Sequence, residues 1–144
     1  MKKPTDLTVD TWISLIKAQK IAFSTVESSL KRHDLPPLNW YDILLELKRV
    51  GADGLRPFQL EKELLLPQYG ISRILDRMEE KGYLARKACE NDGRGHRLII
   101  TDKGLEILAK MWPVYSDAIE TAVGSKLNPK QAKVAVEILS QLID

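Results

Sequence analysis

The sequence predicts a mainly α-helical domain that carries one small β-hairpin. Two observations give the helices: an apolar seam near each end of the chain repeats at three- and four-residue steps, the spacing of one helix face. A third gives the hairpin: Asn91-Asp92-Gly93-Arg94-Gly95 separates two short runs of strand-forming residues, and its composition is that of a tight turn.

The elements follow in order. Val9, Trp12, Ile16, Phe23, Val26 and Leu30, with Gln19 in the polar slot, predict an amphipathic helix from about residue 8 to about residue 32. Ile13, Leu15, Ile21 and Ala22 widen its apolar face, so one side has its own domain to pack on and another side calls for a partner. Leu35-Pro36-Pro37 ends it. Asn39 reads as the N-cap of a second helix, with Trp40, Ile43, Leu44 and Leu47 inward and Gly51 as its stop. Gly54-Leu55-Arg56 is a short extended piece, and Pro57 suits the first turn of a third helix, with Phe58, Leu60, Leu64 and Leu65 packing inward.

Pro67 opens a fourth helix in the same way. Ile71, Ile74, Leu75 and Met78 form its buried side, while Gln68, Tyr69, Ser72, Arg73 and Asp76 share the opposite face. Gly82 supplies a left-handed cap. Strands are expected over about 83–89 and from His96 to Ile100. Thr101 then caps a fifth helix with the seam Leu105, Leu108, Trp112, Tyr115, Ile119 and Ala122; Pro113 inside it removes a backbone donor and should kink it. Gly124 ends this helix. Asn128-Pro129-Lys130-Gln131 is a capping-box start for a last helix, with Ala135, Ile138, Leu139 and Leu142 on its apolar side.

At 144 residues the chain fits one domain with a real core, and 44% hydrophobic with 29% charged residues is a globular composition. The net charge of +2 means that any charge for nucleic acid must be local. Met1-Lys2-Lys3 leads into Pro4, Thr5 and Asp6 rather than an apolar run, so no signal peptide is expected. No apolar stretch approaches the roughly 18 residues of a membrane span, so no membrane partner is expected. The single cysteine allows no internal disulfide and fits a reducing cytoplasm.

A polar-faced helix followed by a hairpin with an arginine at its tip is the pattern of a winged helix-turn-helix. The helix serves one groove of DNA and the hairpin its neighbour. Gln68, Ser72 and Arg73 are the residues to reach base edges in the major groove, since Gln pairs with adenine and Arg with guanine or phosphate; Tyr69 stacks on a sugar or meets a thymine methyl. Arg94, flanked by His96 and Arg97, suits the minor groove. Arg86 and Lys87 either touch phosphates or are plain surface. Arg77 pairs with Asp92 or with Glu79-Glu80, or faces DNA. Charge is the weak side of the pattern. Between 68 and 97, Arg73, Arg77, Lys81, Arg86, Lys87, Arg94 and Arg97 meet the acids Asp76, Glu79, Glu80, Glu90 and Asp92, and Asp76 repels phosphate.

SRILDRMEEKGYL, residues 72–84, and DGRGHRLIITDKG, residues 92–104, resemble the signature of the multiple antibiotic resistance regulator (MarR) family, whose wing carries Asp-x-Arg followed by Leu/Ile-Thr-x-x-Gly. The likeness extends along nearly the whole chain. It implies one domain, 1–144, with a helical dimerisation region over 1–35 and 101–144 and a winged helix-turn-helix lobe over 38–100. It also implies a homodimer on a pseudo-palindromic double-stranded operator, a repressor released by a small aromatic or phenolic effector, and a wing aspartate, Asp92, that orients Arg77. Trp12, Phe23, His33, Trp40, Tyr41 and Trp112 are the candidates to line an effector pocket, although aromatics at helical spacing also serve as plain core.

Cys89, at the end of the first wing strand, is either incidental or redox-responsive. The oxidation-sensing branch of the resembling family carries its cysteine near the N-terminus, where this chain has none. His33 and His96 lack metal-ligand spacing, and no nucleophile elbow or phosphate loop occurs, so no metal, no cofactor and no catalysis are expected. The alternative use of the scaffold is protein interaction without DNA.

Overall fold

A computed structural model of the chain describes residues 1–67, 69–89 and 95–143. Among these residues six α-helices and two strands follow in the order α1 (Asp6–Arg32), α2 (Leu38–Val50), α3 (Pro57–Glu63), α4 (Ile71–Glu80), β1 (Leu84–Ala88), β2 (His96–Ile100), α5 (Asp102–Ile119) and α6 (Pro129–Ile143). A 3-10 turn, Gly51–Asp53, follows α2, and a π-helical turn, Glu120–Gly124, extends α5.

The core is built around α2. Ile43, Leu44 and Leu47 are fully buried, and Val26 and Leu30 of α1, Leu60 of α3, Leu75 and Met78 of α4, Leu84 and Leu98 of the strands, and Leu108 and Met111 of α5 close on the same cluster. The strands pair antiparallel with Leu84 opposite Ile100 and Ala88 opposite His96. Leu55 adds a third, single-residue rung: its N–H donates to the Leu98 carbonyl at 3.0 Å and its carbonyl accepts from the Leu98 N–H at 2.7 Å. That close approach needs Gly54, whose φ is +68° and where a Cβ would lie 2.6 Å from the Leu98 carbonyl oxygen.

Local signals carry most of the boundaries. Thr5 accepts from the Thr8 N–H to start α1, and Thr101 accepts from the Gly104 N–H to start α5. Asn128 and Gln131 exchange the reciprocal bonds of a capping box, 2.8 and 3.0 Å, ahead of α6. After α4, the Tyr83 N–H returns to the Met78 carbonyl and the Gly82 N–H to the Glu79 carbonyl, with Gly82 at φ +80°, which is a Schellman stop.

Three expectations are revised. Asn39 does not cap α2: the helix begins at Leu38, after Pro37, and the Leu38 N–H is satisfied by the Glu27 carboxylate of α1 at 2.6 Å. A partner eleven residues away does a cap's work, which a local pattern cannot reveal. Pro67 does not open α4; the helix starts at Ile71 behind a left-handed Gly70, so Tyr69 precedes it. Phe58 and Leu65 face outward, at 56% and 75% exposure, while Leu60 alone is buried from α3. A seven-residue helix has too few turns to fill a stripe of four. The helix α5 continues through Pro113, and it gives way to a π turn at its end, where the Ser125 N–H reaches the Glu120 carbonyl at 2.7 Å.

The two ends of the chain hold most of the exposed apolar surface. In α6 no residue is buried, and in α1 only Val26, Ser29 and Leu30 are. Trp12, Ile13, Ile16, Ile21, Ile138 and Leu142 all stand exposed.

Candidate nucleic-acid interface

The α4 helix shows one apolar and one polar side, as its periodicity requires. Ile71, Leu75 and Met78 point into the core, and Ser72, Arg73, Asp76, Arg77, Glu79 and Glu80 point to solvent. Among the described residues no side chain caps its first turn. The N-terminal end, with its outward amide dipoles, therefore lies beside Ser72 and Arg73, an arrangement suited to an anion such as phosphate. The strand β1 packs directly against α4, which fixes the wing relative to the helix.

That contact carries the main electrostatic feature of the surface. Arg86 of β1 reaches back to α4 and donates from Nη1 to Glu79 Oε1 at 2.7 Å and from Nη2 to Asp76 Oδ1 at 2.8 Å. Partial burial opposes the guanidinium charge, but the hydrogen bonds and negative charges of Asp76 and Glu79 outweigh it and raise the Arg86 pKa further. Asp76 is thus a neutralised carboxylate rather than a bare one. Neither partner of Arg86 was expected from the sequence, since the pairs span ten and seven residues. The only local sign was the run of acids on the outward face of α4.

The structure places the remaining candidates as follows. Gln68, Asp92 and Arg94 lie outside the described residues. Tyr69 is 93% exposed in the turn before α4. Ser72, Arg73 and Arg77 are exposed on α4. Arg97 is exposed on β2, and its Nη1 donates to the Asp53 carbonyl at 3.1 Å, which holds it against the turn after α2. Arg56, read only as part of an extended piece, lies against the base of the wing: a Cβ added at Gly95 would sit 2.9 Å from Arg56 Nη1. Cys89 is half-buried, and its N–H donates to the Gly95 carbonyl at 3.0 Å, closing the ladder next to β1.

The six effector-pocket candidates are not brought together. Tyr41 of α2 and Trp112 of α5 do meet, stacked with ring centroids 6.2 Å apart, and Tyr115 stands edge-on to both at 5.0 and 5.7 Å. They line a cavity of about 1070 Å³ between α2, the segment after α3 and α5. Trp40 instead packs edge-on to Tyr83 at 6.0 Å. Trp12 and Phe23 lie on the outer side of α1, and His33 ends α1, with Nδ1 2.8 Å from the Ser29 carbonyl. The cavity also holds two buried carboxylates that the sequence did not single out, Asp42 and Glu46. Asp42 accepts the Leu65 N–H at 3.0 Å and the Leu66 N–H at 2.9 Å, one oxygen to each, and so ties α2 to the segment that leads into α4. Burial, and then the charge of Asp42, raise the pKa of Tyr115; burial, and then Tyr115, raise that of Tyr41.

Among the described residues no group of three or more His, Cys, Asp or Glu side chains is placed to hold a metal ion, and no helix is long and apolar enough to cross a membrane.

The comparisons with known proteins agree with this geometry. The MarR family model matches residues 33–95, which span α2 to the base of the wing. The chain is similar to the HTH-type transcriptional regulator MhqR of Bacillus subtilis, 25% identical over 138 residues that cover 96% of this chain and 92% of that protein. It is also similar to a crystal structure of a MarR family transcriptional regulator from Streptomyces coelicolor in complex with DNA, 29% identical with a TM-score of 0.86, covering 99% of this chain and 89% of that one. AbsC, another MarR family regulator from the same organism, superposes with a TM-score of 0.81 at 23% identity over 99% of this chain and 96% of that one, which bears on the fold. With its helix-turn-helix, its hairpin wing and these likenesses along nearly all of its length, the chain is similar to the winged helix-turn-helix transcriptional regulators of the MarR family.

Proposed function

We propose that this chain is a MarR family transcriptional regulator, a homodimer that binds a pseudo-palindromic double-stranded DNA operator and represses transcription until a small effector releases it. The observation that carries the DNA reading is the polar outward face of α4, with Ser72 and Arg73 at the helix N-terminus, braced against a basic hairpin by Arg86. The complex of the Streptomyces coelicolor relative with DNA supports it. Ser72 and Arg73, with Gln68 and Tyr69 just ahead of the helix, read the major groove; Arg94 enters the minor groove; Arg97 adds backbone contact; and Asp92 with Arg77 supports the wing. The near balance of basic and acidic residues over 68–97 makes binding modest in affinity and steeply dependent on salt.

The dimer reading rests on the exposed apolar faces of α1 and α6, which a lone chain leaves in water. Segments 1–35 and 101–144 then form the dimerisation region and 38–100 the DNA-binding lobe. In a two-fold pair the recognition helices face half-sites about one helical turn apart. The cavity lined by Tyr41, Trp112 and Tyr115 is the place for an aromatic or phenolic effector, because it joins the dimerisation helix α5 to the lobe helix α2. The protein works in the cytoplasm and performs no catalysis.

Fluorescence anisotropy with a duplex from the gene's own upstream region tests the reading. Wild-type protein is expected to bind it more tightly than a shuffled duplex, and Arg73→Ala and Arg94→Ala each to weaken binding about tenfold or more without loss of fold. Equal affinity for both duplexes, unchanged by either substitution, would refute it and favour a protein-interaction role. Sedimentation at micromolar concentration tests the dimer, and a folded monomer would refute that part.

A further inference from the structure

We propose that Arg86 is a positioning residue for DNA binding: through its ion pairs with Asp76 and Glu79 it cancels the carboxylate charge on the face of α4 that approaches the duplex. This rests on the reading of α4 as the recognition helix. The outward face of α4 carries two arginines, Arg73 and Arg77, against three carboxylates, Asp76, Glu79 and Glu80. Alone, that face is net negative and repels a phosphate backbone. Arg86 supplies the missing positive charge from the neighbouring strand.

The geometry separates this role from a direct phosphate contact. The guanidinium lies beneath the carboxylates: its side chain is 28% exposed, those of Asp76 and Glu79 62% and 42%. Both terminal nitrogens are already committed, Nη2 to Asp76 at 2.8 Å and Nη1 to Glu79 at 2.7 Å. A phosphate drawn to the guanidinium would meet a charge already shared with two carboxylates. Ion pairs this exposed add little to fold stability, so stability does not account for a two-pronged clamp at this point. Asp76 lies three residues beyond Arg73 and four beyond Ser72, on the same stripe, so its charge is felt where the groove contacts are made.

A charge-compensation cycle tests the proposal. Binding of one upstream duplex is measured by anisotropy over a range of salt for wild type, Arg86→Ala, the pair Asp76→Asn with Glu79→Gln, and all three substitutions together. Arg86→Ala is expected to weaken binding about tenfold, and the triple variant to return to within about threefold of wild type with the same salt slope. If Arg86 contacts phosphate itself, the triple variant binds as weakly as Arg86→Ala and its salt slope falls by about one, which overturns the proposal. Should Arg86→Ala fold poorly, the comparison of the double with the triple variant decides: equal affinities support the proposal, and a tenfold gap overturns it. A wild-type protein that binds no DNA refutes the underlying reading, and that result is visible before any variant is made.

Discussion

Asp42→Ala offers the clearest probe of the link between the cavity and the segment that leads into α4. Asp42 is 7% exposed, and its two oxygens accept the Leu65 and Leu66 N–H groups at 3.0 and 2.9 Å. A hydrogen bond to a charged acceptor contributes about 1.5–3 kcal/mol net, so losing both sets an upper range of about 3–6 kcal/mol. The Leu65 side chain is exposed, so water can reach part of that segment and replace some of the lost bonding. The expected loss is therefore about 2–4 kcal/mol, or roughly 5–12 °C in Tm for a domain of this size. Asp42→Asn keeps one acceptor but turns an NH2 toward an N–H group, and should lose about 1–2 kcal/mol. Urea denaturation reads the global value. Hydrogen exchange reads the local one: the Leu65 and Leu66 amides should exchange faster in Asp42→Ala at conditions where the α2 amides do not. Stability within about 0.5 kcal/mol of wild type, with both amides still protected, would refute the tether.

Two further outcomes follow from the packing. Gly54→Ala forces a side chain into a left-handed position, where its Cβ meets the Leu98 carbonyl oxygen at 2.6 Å, and should cost about 2–4 kcal/mol in urea denaturation by opening the Leu55–Leu98 rung. For Tyr41 and Tyr115 the folded-state pKa lies above the ordinary 10.0, so the stability they confer is complete below that value and is lost as pH rises through the raised ones. Tyr115→Phe should flatten the decline in urea midpoint between about pH 9 and about pH 11, and an unchanged decline would show that Tyr115 does not contribute to it.

What the sequence made legible was what neighbouring residues decide among themselves. The Thr101 cap, the Asn128–Gln131 box and the Gly82 stop all rest on bonds within about five residues, and each lies where the pattern put it; the strand His96–Ile100 pairs with β1 and was legible from the turn-forming sequence between them. Illegible was what distant residues impose. Glu27 starts α2 from α1, so Asn39 looked like a cap that the helix never used. Pro67 and Gly70 are both start signals three residues apart, and the left-handed glycine prevailed. Arg86 finds its acids only once β1 folds back on α4, and Asp42 finds its amides only once α3 has turned the chain. The aromatic candidates split for the same reason: helical spacing placed them on faces, and only packing decided that Tyr41 meets Trp112 while Trp40 meets Tyr83.

Site-specific photo-crosslinking to a labelled upstream duplex shows whether α4 and the wing are the surfaces that meet DNA. A photoreactive residue is placed in turn at Ser72 on α4, at Arg97 on β2 and at Val136 on α6. Covalent adducts are predicted from the first two positions, suppressed by unlabelled specific duplex, and none from Val136. Adducts from Val136 with none from Ser72 or Arg97 would place DNA on α6 and rule out α4 and the wing as the contact surface.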